Sequence, residues 1–401
     1  MLITNYGYGG AQRVFAQLVN GLSKDYTVIK IVFNNDEEDV YSSKQETHSL
    51  EVSAGTNLVS KSINFLNRCY KLYKLKKKHS PQYTISHLEG ANFVNVLSWG
   101  KGLSVLCVHG SKTAEDSNRK GIIKFIENKI LTPILYNSAY KVITVSRGIS
   151  EELTSVFKVK KRKLLPIQNG VDIENIKHLS EALLDHREKR LFNKKTIIFS
   201  GRLAAQKNPL ALIDIYCRLE NRNEINLVII GDGPLKGDMK ERCKKFNLIY
   251  QDGLSDDGNP DAGVMFLGFC ANPFKFLKYA TLFLLTSDFE GFPLAPCEAM
   301  VLGLPVMATD CPTGTREILA PHTTYDRDDK LQSPEETAFG ILMPLLQDDE
   351  ATEVWANEVS KRIFDERWLQ SISVSGKKRA DELSLGSYFK KWLAFLSNEM
   401  G

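Results

Sequence analysis

No run of this 401-residue chain approaches the ~18–20 unbroken apolar residues that a membrane-spanning helix needs. No secretory leader precedes Tyr6-Gly7-Tyr8-Gly9-Gly10, so the expectation is a soluble cytoplasmic protein. Cysteine is scarce: there are seven, an odd number without a CxxC pair, and they read as free thiols of a reducing compartment. There is no repeat array. The basic residues lack the aromatic interleaving of a nucleic-acid-binding sheet, so nucleic acid is not an expected partner. What is present is ample apolar material, 43% of residues against 25% charged, which excludes a wholly disordered chain. The length calls for two or three ordinary domains.

Charge is unevenly spread. Residues 1–170 hold 24 Lys and Arg against 13 Asp and Glu, a balance of +11, while the rest holds 28 against 35, or −7. A basic first half suggests an anionic partner; a generically lysine-rich surface is the plainer alternative.

Apolar strands alternate with helices through the second half. Residues 195–199, 225–230, 264–269, 281–286 and 305–309 read as strands, with helical spacing over 209–219, 235–246 and 293–302. Strands apolar on both faces indicate a parallel sheet covered on each side. The first half repeats the theme at 27–33, 104–108, 141–145 and 164–167, after a helix over 11–22, and Met1–Thr4 reads as the tail of a first strand. The expected fold class is α/β, two doubly wound Rossmann-like domains facing a cleft. The boundaries fall at 1–172, a polar connector at 173–194, 195–385, and a closing helix over 386–401 that returns to the first domain. The chain beyond Asp326 is expected to be mostly helical.

Three motifs carry chemistry. Gly9 and Gly10, between strand stub and helix, allow backbone to approach a phosphate at a helix N-terminus, although a ligand-free tight turn fits equally well. Arg202 and Lys207 follow a strand and suit a diphosphate, Arg as a planar fork and Lys as a point charge; solvated loop cations are the alternative. Glu290 and Glu298 are the most specific pair: one carboxylate at a strand end, the other on the next helix, able to grip separate hydroxyl groups of one ligand. Two solvated glutamates on a strand-turn-helix would share that spacing.

The ordered set of Gly9-Gly10, the segments 145–153 (VSRGISEEL) and 169–172 (NGVD), Gly201-Arg202-Leu203 with Lys207, the turn 231–234 (GDGP) and Glu290…Glu298 resembles retaining glycosyltransferase family 4, of GT-B fold. The resemblance implies a nucleotide-sugar donor held at Gly9, Gly10, Arg202, Lys207, Gly233, Gly291, Phe292, Pro293, Leu294 and Glu298. Glu298 would hold the ribose, Glu290 the donor-sugar hydroxyls, and Arg202 with Lys207 the diphosphate. His109 would stand near the transferred sugar, with His109, Arg202, Lys207 and Glu290 as the catalytic set; taken alone, such a histidine is more often structural. Pro296 and Cys297 replace the family's usual aliphatic residues, so the start of the helix carrying Glu298 is expected to be altered. Asp256-Asp257 falls in a loop and Asp328-Asp329 precedes a polar tail, so no metal and no cofactor is expected, with cations serving where Mg²⁺ would elsewhere.

The implied function is retaining transfer of a hexose or N-acetylhexosamine from a UDP-sugar to a lipid-diphosphate-linked or polysaccharide acceptor in surface-glycan synthesis. The amino sugar is suggested by the stretch 309–319 (TDCPTGTREIL). The rivals are an epimerase or disaccharide synthase of similar fold, or a nucleotide-sugar-binding subunit without catalysis. On the acceptor side, Val59, Ile63, Phe65, Leu66, Tyr70, Leu72 and Tyr73 share an apolar face within 57–78, opposite Ser60, Asn64, Asn67, Lys71, Lys74 and Lys78. A core-packed helix with a solvated lysine face and a peripheral contact with the anionic inner face of a membrane explain it equally well.

Overall fold

The computed structural model describes residues 1–7, 9–34, 41, 45–116, 126–255, 259, 261–323 and 330–397. The chain forms two compact units: Met1–Gly170 with Gly386–Gly401, and Val171–Leu385.

The first unit carries a wholly parallel sheet of β1 (Leu2–Ile3), β2 (Lys30–Val32), β3 (Thr47–Ser49), β4 (Tyr83–His87), β5 (Leu103–Val108), β6 (Lys141–Thr144) and β7 (Leu164–Pro166). Their order is β3-β2-β1-β4-β5-β6-β7. Leu2 pairs with Ile31 and Ile3 with Val32. Because alternate residues face opposite ways, the first pair joins a core with Leu72 and Val94, while the second joins Phe15, Ala16 and Val19 on the other face. Both faces are therefore covered, as a parallel sheet requires.

The second unit holds β8 (Lys195–Ser200), β9 (Ile225–Ile230), β10 (Tyr250–Asp252), β11 (Val264–Gly268), β12 (Leu282–Leu285), β13 (Val306–Thr309), β14 (Glu335–Thr337) and β15 (Gly340–Met343), in the order β10-β11-β9-β8-β12-β13-β15-β14. Only the β14–β15 pair is antiparallel among the described pairings. The chain beyond Asp326 is mostly helical, as expected, with helices Asp349–Arg362, Glu366–Glu382 and Leu385–Ser397 preceded by these two short strands. Gly340 shows why they form: a Cβ there would lie 2.5 Å from the carbonyl oxygen of Val306, so glycine lets β15 close against β13.

The stretch 173–194 is packed within the second unit. Ile176 and Leu191 are buried, and Asn226 Nδ2 donates to Leu191 O at 2.9 Å. Helix Leu58–His79 packs on the core along one narrow line. Only Cys69, Leu72 and Lys76 are buried on it, while most of the apolar face read from the sequence points outward. No helix among the described residues is long and apolar enough to cross a membrane.

Candidate active site

Two turns at the carboxyl ends of β8 and β9 lie backbone against backbone. Gly201 N–H donates to Ile230 O at 3.0 Å, Leu203 N–H to Asp232 O at 2.9 Å, and Leu235 N–H to Leu203 O at 3.0 Å. A Cβ on Gly231, at φ 139°, would stand 1.9 Å from Gly201 O, and one on Gly233 2.4 Å from Leu203 O. Glycine is thus required for the turns to touch. Arg202 projects from this double turn into solvent, and its guanidinium makes no ion pair among the described residues.

Lys207 ends the 3-10 turn Ala205–Lys207. Glu290, expected at a strand end, lies instead in the loop beyond β12, which closes at Leu285. The chain leaves the sheet there because its polar groups bond to neighbouring loops. The Thr286 hydroxyl lies 3.0 Å from the carbonyls of both Lys207 and Asn208, and Thr309 Oγ1 donates to Ser287 O at 2.6 Å. Gln206 Nε2 donates to Phe289 O at 3.0 Å, and Asp288 N–H to Gln206 O at 2.9 Å.

This lattice brings Lys207 and Glu290 together. The Lys207 ammonium pairs with Glu290 Oε1, and the Ser287 hydroxyl donates to the same oxygen at 2.6 Å. Glu290 is 4% exposed, so a lone carboxylate would carry a heavy desolvation cost, which the ammonium and hydroxyl offset. Its Oε2 bonds to no other described residue. The Thr313 hydroxyl donates to the Glu290 carbonyl, and a Cβ on Gly314, at φ 53°, would lie 2.4 Å from Gly291 O. Loop and neighbour are therefore in backbone contact here as well.

Glu298 is buried on the helix Leu294–Val301, with Pro293 at its N-cap and Phe292 buried ahead of it. The expected disturbance at Pro296 and Cys297 is absent. Pro296 falls in the first turn, where an amide would have no intrahelical acceptor. Cys297 packs inward with its thiol 3.5 Å from Pro293 O, and burial pushes that thiol up to about 12. Within the stretch 309–319, Arg316 ties the chain to its neighbours. It forks onto Asp310 at 3.0 and 2.7 Å, and onto Glu335 at 3.2 and 2.8 Å.

Gly9, Gly10 and His109 lie in the first unit. Gly9 caps helix Gly10–Leu22 and is bracketed by Tyr41, whose hydroxyl lies 3.3 Å from its N–H and 3.1 Å from its carbonyl. A ligand reaching that amide must displace Tyr41. Tyr8, Asp256, Asp257, Asp328 and Asp329 lie outside the described residues. His109 follows β5, with its Nε2 2.9 Å from Nδ1 of His87 and the two rings stacked at 5.0 Å. Burial holds His109 down to about 4 and His87 well below the ordinary histidine range, the latter aided by His109 itself. Both imidazoles are thus neutral near pH 7. Sequence reading missed His87, Ser287, Thr313 and Tyr41; a serine three residues before Glu290 was the nearest available signal.

Comparisons with known proteins bear on the family and the fold. The family model "Glycosyltransferase Family 4" matches residues 8–175, and "Glycosyl transferases group 1" matches residues 183–325. An uncharacterised glycosyltransferase of Methanocaldococcus jannaschii is 29% identical over 82% of each chain. An N-acetylgalactosamine-N,N'-diacetylbacillosaminyl-diphospho-undecaprenol 4-alpha-N-acetylgalactosaminyltransferase of Campylobacter jejuni is 28% identical over 90% of this chain and 93% of its own. Among solved structures, HepE of Anabaena in complex with UDP superposes with TM-score 0.75 at 17% identity, over 99% of this chain and 98% of that one. The two family models fall one on each half, and the chain belongs to glycosyltransferase family 4, with the GT-B fold.

Proposed function

We propose that this glycosyltransferase moves a hexose or N-acetylhexosamine from a UDP-sugar to a lipid-diphosphate-linked acceptor, with retention of configuration and without a metal. The observation that carries the proposal is the Lys207–Glu290 pair, fixed with Ser287 beside the turn that carries Arg202. Support for UDP comes from the ligand of HepE, and for the acceptor from the Campylobacter relative's undecaprenyl-diphosphate substrate.

In this mechanism the bond between the sugar's anomeric carbon and the UDP β-phosphate oxygen breaks, and an acceptor hydroxyl attacks the same face. The hydroxyl proton passes to the departing phosphate oxygen. Charge grows on the diphosphate, where Arg202 and Lys207 meet it. Glu290 takes the donor-sugar hydroxyls through Oε2, and Glu298 the ribose. The backbone from Gly291 to Leu294, with Gly233, lines the donor, while Gly9, Gly10 and His109 keep the roles that the family resemblance implies. A cytoplasmic placement suits both substrates.

A panel of nucleotide sugars, read by hydrolysis and by thermal stabilisation, tests the donor, since bound ligand raises apparent stability by mass action. The expected hits are UDP-hexoses or UDP-N-acetylhexosamines; stabilisation by other nucleotides alone defeats the base assignment. Turnover is expected to persist in excess EDTA. Abolition by EDTA, with rescue by Mg²⁺, would overturn the metal-free step.

A further inference from the structure

Helix Leu58–His79 presents two lines of side chains. Phe65, Cys69, Leu72 and Lys76 turn toward the first sheet, and Phe65, Cys69 and Leu72 join its core. Val59, Ile63, Leu66, Tyr70 and Tyr73, spaced by four, three, four and three, form a second stripe outside that core. They are 69, 59, 67, 55 and 38% exposed. Trp99 follows in the chain close to the stripe: a Cβ on its neighbour Gly100 would lie 3.5 Å from Tyr73, and Trp99 itself is 78% exposed at φ 28°.

The charges of the helix itself are of one sign. The helix contains no Asp or Glu. Three of its cations are already engaged inward: Arg68 Nη2 on Val52 O at 3.0 Å, Lys71 Nζ on Leu50 O at 2.6 Å, and Lys76 Nζ on Asn95 O at 2.8 Å. Lys74, Lys77 and Lys78 are exposed alongside or at the end of the stripe, and Lys74 lies 4.5 Å over the Tyr70 ring.

We infer that this stripe is a docking surface for an anionic lipid bilayer, on which the helix lies flat. Val59, Ile63 and Leu66 enter the acyl boundary, Tyr70, Tyr73 and Trp99 sit at headgroup depth, and Lys74, Lys77 and Lys78 meet the lipid phosphates. A second copy of the chain is a poor occupant, because it would set the same lysines against these. The inference goes beyond the transferase proposal and rests only on first-unit residues. It brings the protein to the phase in which a lipid-linked acceptor resides.

Sedimentation of the full chain with phosphatidylcholine vesicles, with and without phosphatidylglycerol, tests it. Wild type should pellet with the mixed vesicles and lose binding as salt rises. The combined change Lys74→Gln, Lys77→Gln and Lys78→Gln should weaken partitioning roughly 10²-fold. The pair Ile63→Glu and Leu66→Glu should weaken it at least about tenfold, with an unchanged melting curve because both sites are exposed. Equal binding to both vesicle types, a wild type that stays in the supernatant, or a stripe-dependent dimer in the ultracentrifuge without lipid would each overturn it. UDP-sugar turnover by the same preparations reports separately on the transferase step, and both stripe variants should keep it.

Discussion

Lys207 is held at two points: Thr286 donates to its backbone carbonyl, and Glu290 pairs with its ammonium. An ion so placed is oriented before any phosphate arrives, so little reorganisation accompanies charge development. Arg202 differs, being exposed on a rigid turn, and would be ordered only by the ligand. Alanine at either position should lower transfer roughly 10²–10³-fold, the scale of losing one charge-stabilising donor, as read from steady-state kinetics of variants with wild-type melting curves. Near-normal turnover by both would remove the clamp. Lys207→Ala carries a second cost that Arg202→Ala lacks, since Glu290 would remain buried with only Ser287 on its Oε1. It should therefore also lower the melting temperature unless Glu290→Gln accompanies it.

The histidine pair makes a prediction of opposite character. Burial holds His109 down to about 4 and His87 well below the ordinary histidine range, which lies at ~6.5. Below pH ~6.5 the unfolded chain therefore binds protons that the native chain refuses. The native state keeps this contribution above ~6.5 and loses it as pH falls toward 4, at up to about 1.4 kcal/mol per pH unit for each ring. Melting temperature should fall between pH 7 and pH 5, and His109→Phe should make that fall shallower. An unchanged slope in the variant would refute the assignment.

Among elements, those with unbroken apolar runs were legible. β9, Ile225–Ile230, is buried at every position, and the sequence reading delimits it without error. β4 escaped because three of its five residues are polar: Tyr83–His87 buries Thr84, Ser86 and His87. Helix Glu89–Leu97 offsets part of that burial, with Asn95 Nδ2 donating to the backbone Thr84 O at 2.7 Å and the Ser86 hydroxyl donating to Asn92 Oδ1 at 2.8 Å. A strand whose burial is balanced by asparagines from another helix leaves no apolar period to read. The candidate site divides in the same way. Its glycines and charges were legible as motifs, whereas Ser287 and Thr313 act through contacts made only when loops meet. Arg379 belongs to that second class. Buried on helix Glu366–Glu382, it donates to Ile318 O at 3.1 Å and Glu317 O at 2.7 Å, satisfying carbonyls at the end of the short helix Thr315–Leu319. Arg379→Ala should destabilise the protein by about 2–3 kcal/mol through those orphaned acceptors, measured by denaturant titration; Arg379→Lys should recover only part, having no planar fork.

At the scale of the whole molecule, the chain leaves the first unit at Gly170 and re-enters it at Gly386, so the second unit is an insertion whose ends must meet. They do. Val171 N–H donates to Leu383 O at 2.9 Å, and Leu385 N–H donates to Val171 O at 2.9 Å, a short parallel bridge that clasps both ends. Residues 171–385 thus contain both their own core and their own closure. The first unit has no such independence, because its last helix, Leu385–Ser397, arrives from the far end of the sequence. That helix buries Tyr388, Trp392, Phe395 and Leu396, and Phe389 lies against Gly21, where a Cβ would stand 2.1 Å from its ring. Four large apolar side chains contribute roughly 6–12 kcal/mol, comparable with the ~5–15 kcal/mol that stabilises an ordinary domain. A fragment of 171–385 should therefore melt cooperatively, with a near-ultraviolet signal from the buried Trp355 and Trp368, and 1–170 alone should not. Restoring 386–397 to 1–170 through a flexible linker should recover a cooperative transition. A cooperative melt of 1–170 by itself would show that the closing helix covers a core already complete, and the first unit would then be the autonomous one.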